Sequence, residues 1–339
     1  MVVKVGVNGF GTIGRRVADV INLQTDMKLM GVVKTKPDYK AQVALKKGYT
    51  VYASSEQSLN EFKKAGIKAS GTIIDLMKNV DIMVDATPGG VGEQNKANLY
   101  EKNNLRAIFE GGEASKVADI SFVAQCNFEK ALGAKYIRCV SCNTTGLCRT
   151  LNAVDQAFGI KRAFATIIRR GADPEDTARG PIDAIVPDPT KTPSHHASDV
   201  NTVLPHIPFT TIAVKVPTTY MHIHAVNATL KKTATREDVL NVFEDTTRVI
   251  LISKSEGLAS TAELFDLARD MGRPRNDIYE ICIWRESVAV IEGELYYLQA
   301  VHQEADVVPE NIDAIRASLK TSDVQSSIKT TNATLGIIK

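Results

Sequence analysis

The run Val3-Lys4-Val5-Gly6-Val7-Asn8-Gly9-Phe10-Gly11-Thr12-Ile13-Gly14-Arg15-Arg16 decides the fold. Positions 3–7 form a short β-branched strand, positions 13–23 carry helical periodicity, and a G-x-G-x-x-G turn joins them directly. The first glycine permits a tight turn, the second lets backbone approach a pyrophosphate, and the third lets helix pack closely on strand. Free N–H groups and the positive helix end then hold phosphates. Gly9, Gly11, Thr12, Ile13 and Gly14 are therefore candidate dinucleotide contacts. A glycine turn that merely joins two elements is the plainer reading; a further strand at 29–33 argues against it.

Outward from this unit, apolar runs at 81–85 and 106–109 end in turn residues, and the alternation of strand and helix predicts an α/β Rossmann-type doubly wound parallel sheet. Gly111 and Gly112 follow the second of these runs, where the lack of a side chain would let a cofactor approach. Beyond about residue 160 the texture changes. Runs at 163–169, 221–230, 278–284, 288–292 and 295–300 show alternation or hairpin spacing and predict an α+β domain around a largely antiparallel sheet. The segment 181–208, broken by Pro187, Pro189, Pro193 and Pro205, predicts an ordered loop, and Pro309 with 310–319 a terminal helix. A length of 339 residues suits about two domains: 1–140 with 303–339 for the dinucleotide, and 141–302 for catalysis.

Composition excludes several classes. Lys and Arg number 41 against 39 Asp and Glu, a balance of +2 that argues against a nucleic-acid partner. No apolar run approaches the roughly 20 residues of a membrane span, and the opening residues carry no signal-peptide pattern, so the expectation is a cytoplasmic protein with no membrane partner. Five cysteines, an odd number, do not make a disulfide framework.

Selectivity and chemistry rest on a few further residues. An NAD-selective site usually has Asp or Glu about 20 residues after the fingerprint; here the position reads Lys34-Thr35-Lys36, so Lys34 and Thr35 can receive a 2′-phosphate and NADP is expected alongside NAD. Solvated surface lysines are the alternative. Residues 136–140 read as a strand, and Ser141-Cys142-Asn143-Thr144-Thr145-Gly146 leads into a helix at 147–158. Cys142 thus falls at a helix N-terminus, which can lower a thiol pKa from about 8.5 into roughly the 3.5–7.5 range and can steady an oxyanion. Cys139 and Cys142 also form C-x-x-C, but a strand position for Cys139 and the lack of a second such pair weigh against redox or zinc chemistry, and no metal is expected.

Asn8 to Arg16, Ser141-Cys142-Asn143-Thr144-Thr145-Gly146-Leu147 and Val301-His302-Gln303-Glu304 together resemble the archaeal-type glyceraldehyde-3-phosphate dehydrogenase family over essentially the whole chain. They depart from the bacterial and eukaryotic branch, whose motif is S-C-T-T-N. The resemblance implies phosphorylating oxidation of glyceraldehyde 3-phosphate with NAD or NADP, inorganic phosphate as co-substrate, and a homotetramer. It assigns Cys142 as nucleophile and His222 as base, with His224 a structural or orienting neighbour. It also implies that Ser141, Asn143, His195 and His196 contact the phosphorylated substrate, and that Arg170 and Gln303 contact the nicotinamide end. Arg169, at a strand end, suits an anionic substrate. His222 and His224 as plain strand residues, or as an H-x-H zinc pair, remain open on spacing alone, as does a related semialdehyde dehydrogenase or acyl-phosphate reductase, or a dinucleotide-sensing regulator.

Overall fold

The computed structural model describes residues 2–172, 180 and 183–338. Two units divide the chain: Met1–Ser141 with Val308–Gly336, and Cys142–Val307 with Ile337–Lys339.

In the first unit, strands β1 (Val3–Asn8), β2 (Met27–Lys34), β3 (Val51–Ala53), β4 (Ile82–Asp85), β5 (Arg106–Phe109), β6 (Ile120–Phe122) and β7 (Tyr136–Cys139) form one sheet in the order β3-β2-β1-β4-β5-β7-β6. Every pairing in it is parallel. Such a sheet needs both faces covered, which explains why β4 and β7 are buried at every residue. Val33, Leu76, Met83, Phe109 and Tyr136 build a core on one face. Helices Thr12–Ile21 and Val308–Leu319 pack together in the same unit.

Strand order reverses between β1 and β4, the crevice where open α/β sheets bind ligands. There Asn8 and Asp85 are register partners. Asp85 accepts from Tyr100 Oη at 2.6 Å, Asn95 Nδ2 at 2.8 Å and the Thr87 amide at 3.1 Å, which fixes the loop after β4. The fingerprint sits beside it. Gly9 has φ 98°, and a Cβ on Gly14 would lie 1.9 Å from the Gly9 carbonyl oxygen, so the turn closes only with glycine at both. Gly11 differs: a Cβ there would meet nothing within 4 Å.

In the second unit, β8 (Ile160–Arg170), β9 (Val186–Pro187), β10 (Phe209–Val216), β11 (His222–Leu230), β12 (Val249–Ile252), β13 (Ile281–Trp284), β14 (Ala289–Ile291) and β15 (Glu294–Val301) form a mixed sheet in the order β12-β13-β15-β11-β8-β10-β9, with β14 beside β15. The β8–β10 and β12–β13 pairs are parallel and the others antiparallel. Helix Cys142–Phe158 packs against β8, β11 and β15. A row of register partners, Ile212, Thr166, Ala225 and Leu298, crosses four strands, and Ile212 and Leu298 at its ends are exposed.

The predicted loop at 181–208 contains β9 and a helix, His195–Asn201; Pro193 precedes Ser194, the N-cap, so the proline-broken sequence directs the helix start instead of preventing a helix. Pro181 itself lies outside the described residues. Strands β3, β6, β10 and β12 and the helix Val324–Leu335 add to the elements expected from sequence.

The glycines give a direct test. Gly14→Ala should cost more than about 2 kcal/mol of stability through backbone collision, whereas Gly11→Ala should leave the thermal midpoint nearly unchanged and weaken dinucleotide binding, read by fluorescence titration. Equal stability loss in both would contradict this packing.

Candidate active site

Cys142 opens the helix Cys142–Phe158. The first turns of this helix are buried, and Gly146 lets it approach β15, because a Cβ there would come 2.7 Å from Val301 Cγ2. Val301 is the register partner of His222, so the helix start and the start of β11 converge on the same end of the sheet. Thr144 Oγ1 donates to Asp199 Oδ2 at 2.6 Å, tying helix Cys142–Phe158 to helix His195–Asn201.

Electrostatics at the sulfur overturn the expected thiolate. Cys142 keeps some surface, yet burial pushes its thiol up to about 12, with Asp306 adding to the rise; Arg170, Arg169 and the Asn143 N–H oppose it. Desolvation outweighs the helix N-terminus, and the resting group is a protonated thiol. Cys139 is wholly buried in β7 and its thiol is likewise raised by burial, which removes it from dithiol chemistry. Among the described residues no group of three His, Cys, Asp or Glu is placed to hold a metal ion.

His222 is buried, and its Nδ1 accepts from the Arg170 backbone N–H at 3.0 Å, so the proton of the neutral ring sits on Nε2. Burial holds its pKa well below the ordinary range, helped by Arg170 and Arg169. The same two arginines act on Cys142. His224, two residues on along the same strand face, instead bonds Asn143 Oδ1 through Nε2 at 2.9 Å. Asn143 Nδ2 faces Cys142 Sγ at 3.8 Å and His196 Nε2 at 3.4 Å.

The two adjacent histidines part company. His196 is buried and its Nδ1 lies 3.0 Å from Ser194 Oγ, whereas His195 is exposed and its ring lies against His196, tilted by 32° with centroids 3.9 Å apart. Arg169 pairs with Asp188, whose other oxygen is 3.3 Å from Lys215 Nζ. An acid therefore lies between two cations beside His195, and the sequence reading named neither Asp188 nor Lys215.

The residues toward a dinucleotide fit such a ligand. Helix Thr12–Ile21 has no side-chain cap at Gly11, and the space beyond Gly11 is open. Gln303 is buried with both amide atoms unpartnered among the described residues, an arrangement that an incoming polar ligand would satisfy. Lys34 ends β2 and pairs with Asp38 at 2.8 Å, while the Thr35 carbonyl accepts from Ser58 Oγ at 2.5 Å. Gly111 has a reason of its own: a Cβ there would sit 2.3 Å from the Ser141 amide nitrogen in the same unit. Gly112 has only ordinary contacts, with Gly89.

A thiol held at about 12 should react slowly and without a plateau. Iodoacetamide labelling of the Cys142 peptide, followed by mass spectrometry, is expected to rise about tenfold per pH unit from 7 to 10 in the ligand-free protein. A plateau below pH 8 would show a resting thiolate.

Residues 141–287 match the family model described as glyceraldehyde 3-phosphate dehydrogenase, C-terminal domain. Proteins named glyceraldehyde-3-phosphate dehydrogenase from Thermococcus kodakarensis and Pyrococcus abyssi are each 56% identical over 339 residues, covering 100% of both chains. One of the same name from Methanopyrus kandleri is 52% identical over 99% of this chain and 98% of its own. With the thiol, the two strand histidines and the glycine turn in these positions, the chain belongs to the glyceraldehyde-3-phosphate dehydrogenase family.

Proposed function

We propose that the chain catalyses the reversible, phosphorylating oxidation of D-glyceraldehyde 3-phosphate to 1,3-bisphosphoglycerate in glycolysis or gluconeogenesis, through a thioester on Cys142. The observation that carries this reading is the convergence of a helix-start thiol, two arginines and a buried histidine at one end of the second unit's sheet.

The Cys142 sulfur adds to the aldehyde carbon, and the thiol proton ends on the former carbonyl oxygen. His222 steadies that oxygen with its Nε2–H as the carbon–sulfur bond forms. Taking the hydroxyl proton in the oxidation step uses the Nδ1 lone pair, so base action by His222 requires its bond to the Arg170 N–H to open. The nicotinamide of a bound NAD or NADP would supply the hydride acceptor. Inorganic phosphate then attacks the thioester, with the Ser141 and Asn143 neighbourhood of Cys142 contacting substrate and the sulfur leaving. Arg169, His195 and His196 serve the phosphate groups, and Asp188 must yield for Arg169 to bind an anion.

Gly9, Gly11, Thr12, Ile13 and Gly14 would hold the pyrophosphate, Lys34 and Thr35 the adenosine ribose end, and Gly111, Gly112, Arg170 and Gln303 the remainder. The end of β2 carries no carboxylate of its own, which supports acceptance of both NADP and NAD; Asp38 tempers the Lys34 charge. A cytoplasmic setting is part of this reading; among the described residues no helix is long and apolar enough to cross a membrane. The exposed Ile212 and Leu298, at the two ends of that row, support association of copies into the homotetramer expected of the family.

Phosphate-dependent reduction of NAD and NADP with glyceraldehyde 3-phosphate tests the reading. Cys142→Ser should lose essentially all turnover and His222→Asn about 10²–10⁴-fold, while sedimentation reads a tetramer for the parent and a smaller species for Leu298→Glu. Phosphate-dependent turnover retained by Cys142→Ser would exclude the nucleophile. Dinucleotide binding with no turnover of any aldehyde in the parent would favour a sensor.

A further inference from the structure

Behind the nucleophile runs a buried chain of hydrogen bonds that the reaction above leaves unused. Tyr297 Oη donates to Thr150 Oγ1 at 3.0 Å, and Thr150 Oγ1, whose one proton also has the Gly146 and Leu147 carbonyls at 3.2 and 3.3 Å, lies nearest to Gln299 Oε1 at 2.9 Å. Gln299 Nε2 donates to His224 Nδ1 at 3.0 Å, and His224 Nε2 donates to Asn143 Oδ1 at 2.9 Å. The Asn143 amide nitrogen then has only its N–H bonds to offer, toward Cys142 Sγ at 3.8 Å and His196 Nε2 at 3.4 Å. Tyr297, Thr150, Gln299, His224 and Asn143 are each no more than 2% exposed.

The direction of this chain follows from the chemistry of its members. A neutral imidazole has one donor and one acceptor, so a donor at Nδ1 forces the proton onto Nε2. That proton claims the Asn143 carbonyl oxygen, which leaves the NH₂ end of the amide facing the sulfur. Reversing the donor and acceptor sides of the His224 ring would place the Asn143 oxygen there, repelling the charge that develops on sulfur. The register pairs His224 directly with Gln299 across β11 and β15, which locks the ring's acceptor side. Burial drives the His224 pKa down to about 3, so the ring keeps this neutral form throughout the working range.

We propose that His224 and Gln299 are positioning residues, which act through Asn143 to hold an N–H donor on the Cys142 sulfur and so favour its ionised form during addition. The proposal rests on Cys142 being the nucleophile. Its test is therefore read in the full-length protein without substrate or cofactor, by the rate of iodoacetamide alkylation at Cys142, and separately by kcat and KM.

His224→Asn keeps a side-chain amide near the Nδ1 position and removes the donor to Asn143. It should slow both alkylation and kcat at least tenfold, with KM for the aldehyde within threefold. His224→Gln, whose amide reaches the Nε2 position, should recover most of both. Gln299→Met, one link further back, should slow alkylation in the same direction and by a smaller factor, and it supplies the test if His224→Asn fails to fold. Parental alkylation rates in His224→Asn and Gln299→Met would overturn the proposal. So would equal losses in the Asn and Gln variants that track a fall in thermal midpoint, which would assign His224 to packing alone. Slowed alkylation in a protein whose parent shows no turnover would sustain the relay while defeating the dehydrogenase reading.

Discussion

In the proposed reaction the Cys142 sulfur must carry negative charge in surroundings that strip water from it. Holding a thiol at about 12 in place of about 9 opposes ionisation by about 4 kcal/mol. A helix N-terminus typically offers 0.3 to 2 kcal/mol. The dipole alone cannot win, and so the groups around the sulfur matter: Arg170 and Arg169 lower the cost through space, and the Asn143 backbone N–H does so by hydrogen bonding. A resting thiol is also less prone to oxidation than a thiolate. Reactivity then appears when the carbon–sulfur bond forms and the charge can move to an oxygen.

The second unit's sheet supplies these groups by register. Alternation along β11 puts His222 and His224 on one buried face, but their neighbours separate them into two tasks. His222 meets the Arg170 backbone at the strand end, and His224 meets Gln299 in mid-sheet and Asn143 on the helix above. Three of the buried histidines of this unit, His196, His222 and His224, are held neutral chiefly by burial. Neutral rings have defined donor and acceptor sides, which makes them useful for fixing amide orientation.

Much of this was legible in the chain, and for a physical reason. The glycine turn is a local constraint, so the strand at 3–7 extends by only one residue to Val3–Asn8 and the strand at 106–109 stands unchanged as Arg106–Phe109. The position of Cys142 at a helix start was legible because a short motif marks the strand-to-helix junction there. By contrast, β10 lies close to a proline-rich stretch that dominated the reading, although its buried and exposed residues alternate cleanly from Phe209 to Ala213. The helix Val324–Leu335 is rich in Ser and Thr, poor helix formers, and only Asp323 at its start and Gly336 at its end marked it. Gln299, Lys215 and Asp188 were invisible for a different reason: their roles arise from strand pairing and ion pairs across long sequence separations, which no local pattern encodes. The thiolate expectation failed because burial, the larger effect, cannot be read from a helix start.

The proposed reaction turns on a covalent thioester at one sulfur, which peptide mass spectrometry can detect. The protein is mixed with glyceraldehyde 3-phosphate and NAD or NADP without inorganic phosphate, quenched in acid, and digested. A 3-phosphoglyceryl adduct is expected, confined to the Cys142 peptide and lost when phosphate is added before the quench. No adduct, or one on another cysteine, would contradict it.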